Sequence, residues 1–274
     1  MHEVTVYSDF YNLFGTMNFV GLRNYERLIV DPIFWWSVML TFAYALLTII
    51  PGMIMSLALA MLLNNKMRGM GLMRSGFFLP NVFDVYVVGV IWLLLYNPQG
   101  GIFSAILRAI GLGDLGNQGL LANPYLTLPA IALAMILKNA GFGMILFLTS
   151  LNNINESIFE AADVDGATPW QKLIHVTIPM LRPIIFFLGI TGMVGSLNAF
   201  AEIFAMTDAS GGTSVTPVEG GPTFQSARIS GFYLYQVFAA SRYGEAAAMS
   251  FLLLIIAVSI SAAGYLITRR RKAQ

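Results

Sequence analysis

Only fourteen acidic side chains are spread over 274 residues, and four of them, Glu156, Glu160, Asp163 and Asp165, fall within ten positions. They alternate with Ile158, Phe159, Ala161 and Ala162 in the stretch NESIFEAADVDGATPWQKLIHVTIPMLRP, residues 155–183. Carboxylates interleaved with apolar groups in this way suit charge-assisted hydrogen bonds to a protein partner around an apolar stripe. The competing reading is a solvated hairpin lying on a membrane surface. Catalysis has little to work with. The chain has no cysteine and two histidines, His2 and His175, which lie far apart in different loops. Thiolate nucleophiles, disulfides, iron–sulfur clusters and Cys-type zinc sites are excluded, and a Ser-His-Asp set or a histidine metal site lacks material.

The remaining candidates are single polar residues in apolar surroundings. Asp84, Lys138 and Glu202 are each the one charged residue of a long apolar run. On straight helices Lys138 lies roughly 18 Å and Asp84 roughly 12 Å from the same end of their runs, an offset a side-chain ion pair could bridge. Unpaired charge in hydrocarbon costs several kcal/mol, so the two either neutralise each other or face a water-filled pathway. Asn198 and Glu202, four apart on one helix face, and Asn139 beside Lys138 are candidates to line a substrate path. For Asn198 and Glu202, interhelical hydrogen bonding without substrate contact is the other reading. Gly189, Gly192 and Gly195 in the same run permit close helix approach. Gly111-x-Gly113-x-x-Gly116 matches a dinucleotide fingerprint in letters only, having no preceding strand and no βαβ context. No Gly-x4-Gly-Lys-Ser/Thr sequence occurs.

The elements that must position these residues follow from composition. The chain is 57% hydrophobic and 11% charged, with a formal net charge of +1. Soluble domains carry roughly a quarter charged residues. Crossing a hydrocarbon core takes about 20 apolar residues, and five segments qualify: 34–63, 76–96, 125–150, 183–206 and 246–268. The expected fold is therefore an all-α polytopic membrane protein, with a segment 1–33 outside the membrane, a membrane domain over 34–274 and a loop at 151–182. Nucleic acid is no expected partner at this net charge; the lipid bilayer is.

Lys and Arg near span ends set the orientation. Lys66, Arg68, Arg74, Lys172, Arg182, Arg269, Arg270, Arg271 and Lys272 lie on one side, and Arg23, Arg27, Arg108, Arg228 and Arg242 on the other. Nine against five puts the C-terminus in the cytoplasm. Five spans then put residues 1–33 outside with no signal peptide to carry them, so an additional N-terminal span is expected upstream.

On this assignment the loop at 151–182 faces the cytoplasm, and it reads as two short helices. Ser157 and Glu160 have capping-box spacing, Gly166 suits a stop, and Thr168, Pro169 and Gln171 give a second cap, a proline at the first helical position and a second box. Ile178-Pro179 then ends the second helix. A loop of this kind, anchored by membrane helices at both ends, can push or pull them when a partner moves.

The pattern Glu160-Ala161-Ala162, Asp165-Gly166-Ala167, Ile178-Pro179, Pro183 resembles the EAA loop of permease subunits in binding-protein-dependent ABC importers. Val20-Gly21-Leu22-Arg23-Asn24-Tyr25, Arg68-Gly69, Phe78-Leu79-Pro80, Trp92, Asn97-Pro98, Gly141-Phe142 and Arg242-Tyr243-Gly244 extend the resemblance over nearly the whole chain. They point to the sugar-importer branch, the first-permease subfamily of the maltose and glycerol-3-phosphate type. The resemblance implies a multi-pass permease of a bacterial-type plasma membrane, with its EAA helix–turn–helix loop docked on a dimeric cytoplasmic ATPase. Glu160, Ala161, Ala162, Asp165, Gly166, Ile178 and Pro179 would belong to that coupling loop. It further implies a second, homologous permease, an extracytoplasmic solute-binding protein, a sugar or sugar-like cargo, and no cofactor on this chain, ATP and magnesium belonging to the ATPase. The chain would not itself be an enzyme.

Four features depart from the pattern. The usual core has six or more spans. Asn155 stands where proline is usual and Lys138 where tryptophan is usual. Gly220-Gly221-Pro222, usually directly after the fifth family span, follows an added polar stretch, 208–219. Among alternatives, an ion-coupled secondary transporter needs inverted repeats and more intramembrane carboxylates than Asp84 and Glu202. A membrane-embedded enzyme lacks a convergent nucleophile, base and metal set. The identity of the sugar is not written in the sequence.

Overall fold

The computed structural model describes residues 20–64, 69–216 and 223–272, with side chains through Gly264. Lys66, Arg68, His2 and the Gly-Gly-Pro sequence at 220–222 lie outside the described residues, as do the side chains of Arg269 to Lys272.

A short helix α1 (Arg23–Val30) leads into α2 (Pro32–Leu62). Asp31 joins them. One carboxylate oxygen accepts from the Ile33 amide at 2.9 Å as an N-cap, and the other accepts from the Tyr233 hydroxyl at 2.7 Å. Burial, then this hydrogen bond, pushes the Tyr233 phenol up from its ordinary value. Pro32 occupies the first turn, where its missing N–H costs nothing. At the other end the Arg74 guanidinium donates to the Leu63 carbonyl at 2.6 Å, a basic group on a carbonyl just past the end of a helix.

The expected span 76–96 is two helices, α3 (Met70–Val82) and α4 (Val85–Leu95), bent by 97°. Pro80 withdraws one backbone donor from the last turn of α3. Asp84 then accepts from the Tyr86 amide at 2.8 Å, starting a new helix. Short helices α5 (Ile102–Ala109) and α6 (Gly113–Gln118) precede α7 (Thr127–Asn152). Beyond it lie α8 (Glu156–Val164), α9 (Pro169–Lys172), a wide π turn (Leu173–Thr177) and α10 (Ile178–Met180).

The expected span 183–206 is also interrupted, giving α11 (Arg182–Leu197) and α12 (Ala201–Met206). The cause sits in α13 (Ser230–Ala239). The Ser230 hydroxyl donates to the Leu197 carbonyl at 3.3 Å, and a Cβ on Gly231 would lie 2.3 Å from the Ala199 oxygen. Only glycine lets α13 press against the break. Between α12 and α13, β1 (Ser214–Val215) pairs antiparallel with β2 (Phe224–Gln225), Val215 opposite Phe224. Ser214 and Val215, within the added stretch 208–219, are thus tied to Phe224 and Gln225. Trp36 stacks on Phe224 with centroids 4.7 Å apart and donates to the Gln225 carbonyl at 3.2 Å. The chain closes with α14 (Tyr243–Lys272).

Three helices, α2, α7 and α14 through Gly264, are long and apolar enough to cross a membrane. Two bent pairs, α3 with α4 and the 169–180 segment with α11, bring the number to as many as five. Helix α7 is the enclosed axis, whereas α2 and α14 keep most of their surface outward. Two apolar cores grip α7 at opposite ends. One gathers Leu128, Ile131 and Met135 with Tyr44, Ile203 and Phe232; the other gathers Met144, Phe147 and Leu151 with Ala60 and Leu181. A third, of α1, α13 and α14 residues with Val38 of α2, flanks the bundle.

Candidate functional site

Between the two cores on α7, at the middle of α2, α7 and α11, lies a cavity of about 580 Å³. That is within the usual range for small-molecule sites. Its walls are mainly apolar. Asn139 from α7, Asn198 from the end of α11 and Glu202 from α12 all line it, so three separately predicted polar residues share one compartment.

Each is held by its own bond. Glu202 is 8% exposed and accepts a hydrogen bond from the Tyr44 hydroxyl at 3.0 Å. Asn139 accepts from the Asn81 side-chain amide at 3.3 Å. Asn198 donates to the Val194 carbonyl at 2.9 Å, capping the end of α11. Tyr44 was not foreseen. Its signal was a phenol in the middle of a charge-free apolar run, where a hydroxyl must find a partner.

Lys138 is 6% exposed and makes no ion pair within 4 Å among the described residues. The sequence-based pairing with Asp84 takes no direct form, because Asp84 is exposed and capping α4 beyond a 97° bend. The glycines of α11 divide by role. Gly192 packs tightly, with an added Cβ 2.8 Å from Ile49; Gly189 makes an ordinary contact with Met53; Gly195 faces open cavity space.

The second candidate is the helix–turn–helix. No residue of α8 is buried. Its N-cap is Asn155, whose carboxamide accepts from the Ser157 amide at 3.2 Å, two residues earlier than the Ser157–Glu160 spacing suggested. At the turn, Gly166 has φ +73°, its amide donates to the Asp163 carbonyl and the Ala167 amide to the Ala162 carbonyl. These two bonds form a Schellman motif. The Thr168 box is complete: the Thr168 amide donates to Gln171 Oε1 at 2.8 Å and the Gln171 amide to Thr168 Oγ1 at 3.3 Å. Lys172 pairs with Asp163 across the turn. Glu160, Ala161, Ala162 and Asp165 lie on α8 and its cap, and the apolar Val164 and Trp170 are 88% and 68% exposed beside them.

Ile178-Pro179 does not end the second helix. Pro179 cannot donate and its ring crowds the carbonyl four residues back. The π turn absorbs this, the Ile178 amide reaching the Leu173 carbonyl five residues back, and the chain stays helical to Met180.

Residues 28–273 match the family model for the binding-protein-dependent transport system inner membrane component. The lactose transport system permease protein of Rhizobium radiobacter is 31% identical over 93% of this chain and 83% of its own. The sn-glycerol-3-phosphate transport system permease protein of Agrobacterium fabrum is 29% identical over 99% and 87%. Among solved structures, a bacterial ABC transporter involved in import of the acidic polysaccharide alginate matches with TM-score 0.77 and 23% identity, over 93% of this chain and 85% of that one.

Proposed function

This chain belongs to the binding-protein-dependent transport system inner membrane components, and we propose that it forms the solute path of an ABC sugar importer and couples that path to a separate ATPase through residues 156–180. The observation that carries the reading is the cavity between the two cores of α7, where Asn139, Asn198 and Glu202 meet. Transport needs a compartment at mid-depth with a few polar groups, enclosed enough to hold a solute and walled by helices that can move.

In this reading the helix–turn–helix faces the cytoplasm, with the C-terminus on the same side. Its exposed acids and apolar groups meet a dimeric ATPase that binds the ATP and magnesium; this chain hydrolyses nothing. Glu160 offers charge-assisted bonds, Ala161 and Ala162 allow close approach, and Gly166 lets the backbone reverse. The 65° bend between the 169–180 segment and α11 converts displacement of the loop into rotation of α11, which carries cavity-lining residues. A second, homologous permease closes the open side of the cavity, and an extracytoplasmic binding protein delivers the cargo. The lactose and glycerol-3-phosphate permeases make a sugar or sugar-like solute the cargo class.

Co-purification of the chain with its ATPase, together with sugar uptake, tests the coupling assignment. Glu160→Lys and Gly166→Trp are expected to lose ATPase association or to leave ATP hydrolysis running without uptake. Normal association and uptake in both variants would remove the coupling role from this loop.

A further inference from the structure

The relatives' names span uncharged cargo, lactose, and anionic cargo, glycerol-3-phosphate, so family membership leaves the charge of the solute open. The cavity does not. We propose that it admits uncharged polyhydroxylated solutes and rejects anionic ones, and that Glu202 sets this selection. The proposal rests on the reading of the cavity as the solute path.

Two independent observations carry it. The first is charge. Among the described residues that line the cavity, Glu202 is the only one with an ionisable acid or base apart from the Tyr44 phenol, and no lysine or arginine is among them. Lys138, next to Asn139 on α7, is not among the lining residues and makes no ion pair within 4 Å among the described residues. The Glu202 carboxylate is thus the one charge that the described cavity wall presents. In a partly enclosed apolar space that charge acts on a solute far more strongly than in water.

The second is the supply of donors and acceptors. The Thr48 hydroxyl donates to the Tyr44 carbonyl at 2.8 Å, Ser196 to Gly192 at 2.9 Å and Ser56 to Ala140 at 3.1 Å. Thr191 is engaged in the same way with the Phe187 carbonyl. Their hydrogens are committed, so what they present is lone pairs. Asn198 gives one amide hydrogen to the Val194 carbonyl and presents its oxygen and the other hydrogen. The phenolic hydrogen of Tyr44 is held by Glu202. Among the lining side chains, the donors left over are those of the Asn139 amide, whose oxygen is bonded to Asn81, and the second N–H of Asn198. A compartment rich in acceptors suits a solute that arrives with many O–H donors. A phosphate or carboxylate group, which needs donors, finds two carboxamides and no cation among the lining side chains, and meets Glu202.

The natural chain has no cysteine, which makes a charge probe direct. Gly195 lines the cavity with open space where a side chain would stand. In the assembled complex carrying Gly195→Cys, modification by a cationic and an anionic methanethiosulfonate of equal size is followed as mass added to this chain. Each rate is divided by that reagent's rate with free cysteine. The cationic reagent is expected to lead by at least tenfold, Glu202→Gln to bring the ratio to within about twofold of one, and Glu202→Asp to restore it. A ratio near one with Glu202 intact overturns the proposal by itself, even if the glutamine variant fails to assemble. So does a ratio that Glu202→Gln leaves unchanged, or a thiol that neither reagent reaches. ATP-driven sugar uptake by the same complexes is measured in parallel. Lost uptake with an intact labelling ratio counts against the importer reading alone.

Discussion

The polar residues of the bundle were legible one by one, because any Asp, Glu, Lys or Asn in an apolar run must have a partner or a purpose. Their pairing was not. Asp84 and Lys138 looked complementary on straight helices, but a break at Phe83–Asp84 turned Asp84 into a helix cap. The partner that matters to Glu202 is Tyr44, 158 residues away, and no spacing argument links them. A hydrogen bond to a buried carboxylate is worth about 1.5–3 kcal/mol. Tyr44→Phe is expected to lower the thermal stability of the purified complex by an amount in that range. The effect should be non-additive with Glu202→Gln, since removing the charge first lowers what the phenol can contribute. Additive losses in the double-mutant cycle would mean that the bond contributes little and that Tyr44 acts through packing.

At the scale of elements, the signals that survived are those whose bonds close within a few residues. Thr168, Pro169 and Gln171 dictate a cap through neighbouring backbone groups, and Gly166 supplies the one residue type at ease with φ +73°. Asn155 was read only as a departure from a family proline, although a carboxamide before an apolar run is a good cap in its own right. The helix breaks were hidden because their causes are distant. The interruption after Leu197 depends on Ser230 and Gly231, more than thirty residues on. Nothing lies within 4 Å of a Cβ on Gly166, so the cost of replacing it comes from the backbone alone. Gly166→Val should therefore cost about 1–2 kcal/mol locally and uncouple ATP hydrolysis from uptake. Gly166→Asn, which tolerates the left-handed region, should keep most of the coupling. Equal activity in the two variants would show that the turn geometry is not what the partner reads.

At the scale of the molecule, rigidity and openness are separated along one helix. The cores at the two ends of α7 fix its position, and the stretch between them carries the cavity face. This division makes transport and stability separable by mutation within a single turn of α11. An added Cβ at Gly195 meets nothing within 4 Å, whereas one at Gly192 lies 2.8 Å from Ile49. Gly195→Trp should fill the compartment, cut uptake at least tenfold and leave the melting temperature unchanged or slightly higher, because a helical glycine costs about 0.5–1 kcal/mol relative to alanine. Gly192→Trp should lower both, since overpacking a helix contact costs about 1–3 kcal/mol. Uptake and thermal melting measured on the same pair of complexes distinguish the two. If Gly195→Trp transports normally, solute does not pass between the two cores. If instead it melts as low as Gly192→Trp, the space beside Gly195 is occupied in the assembled complex.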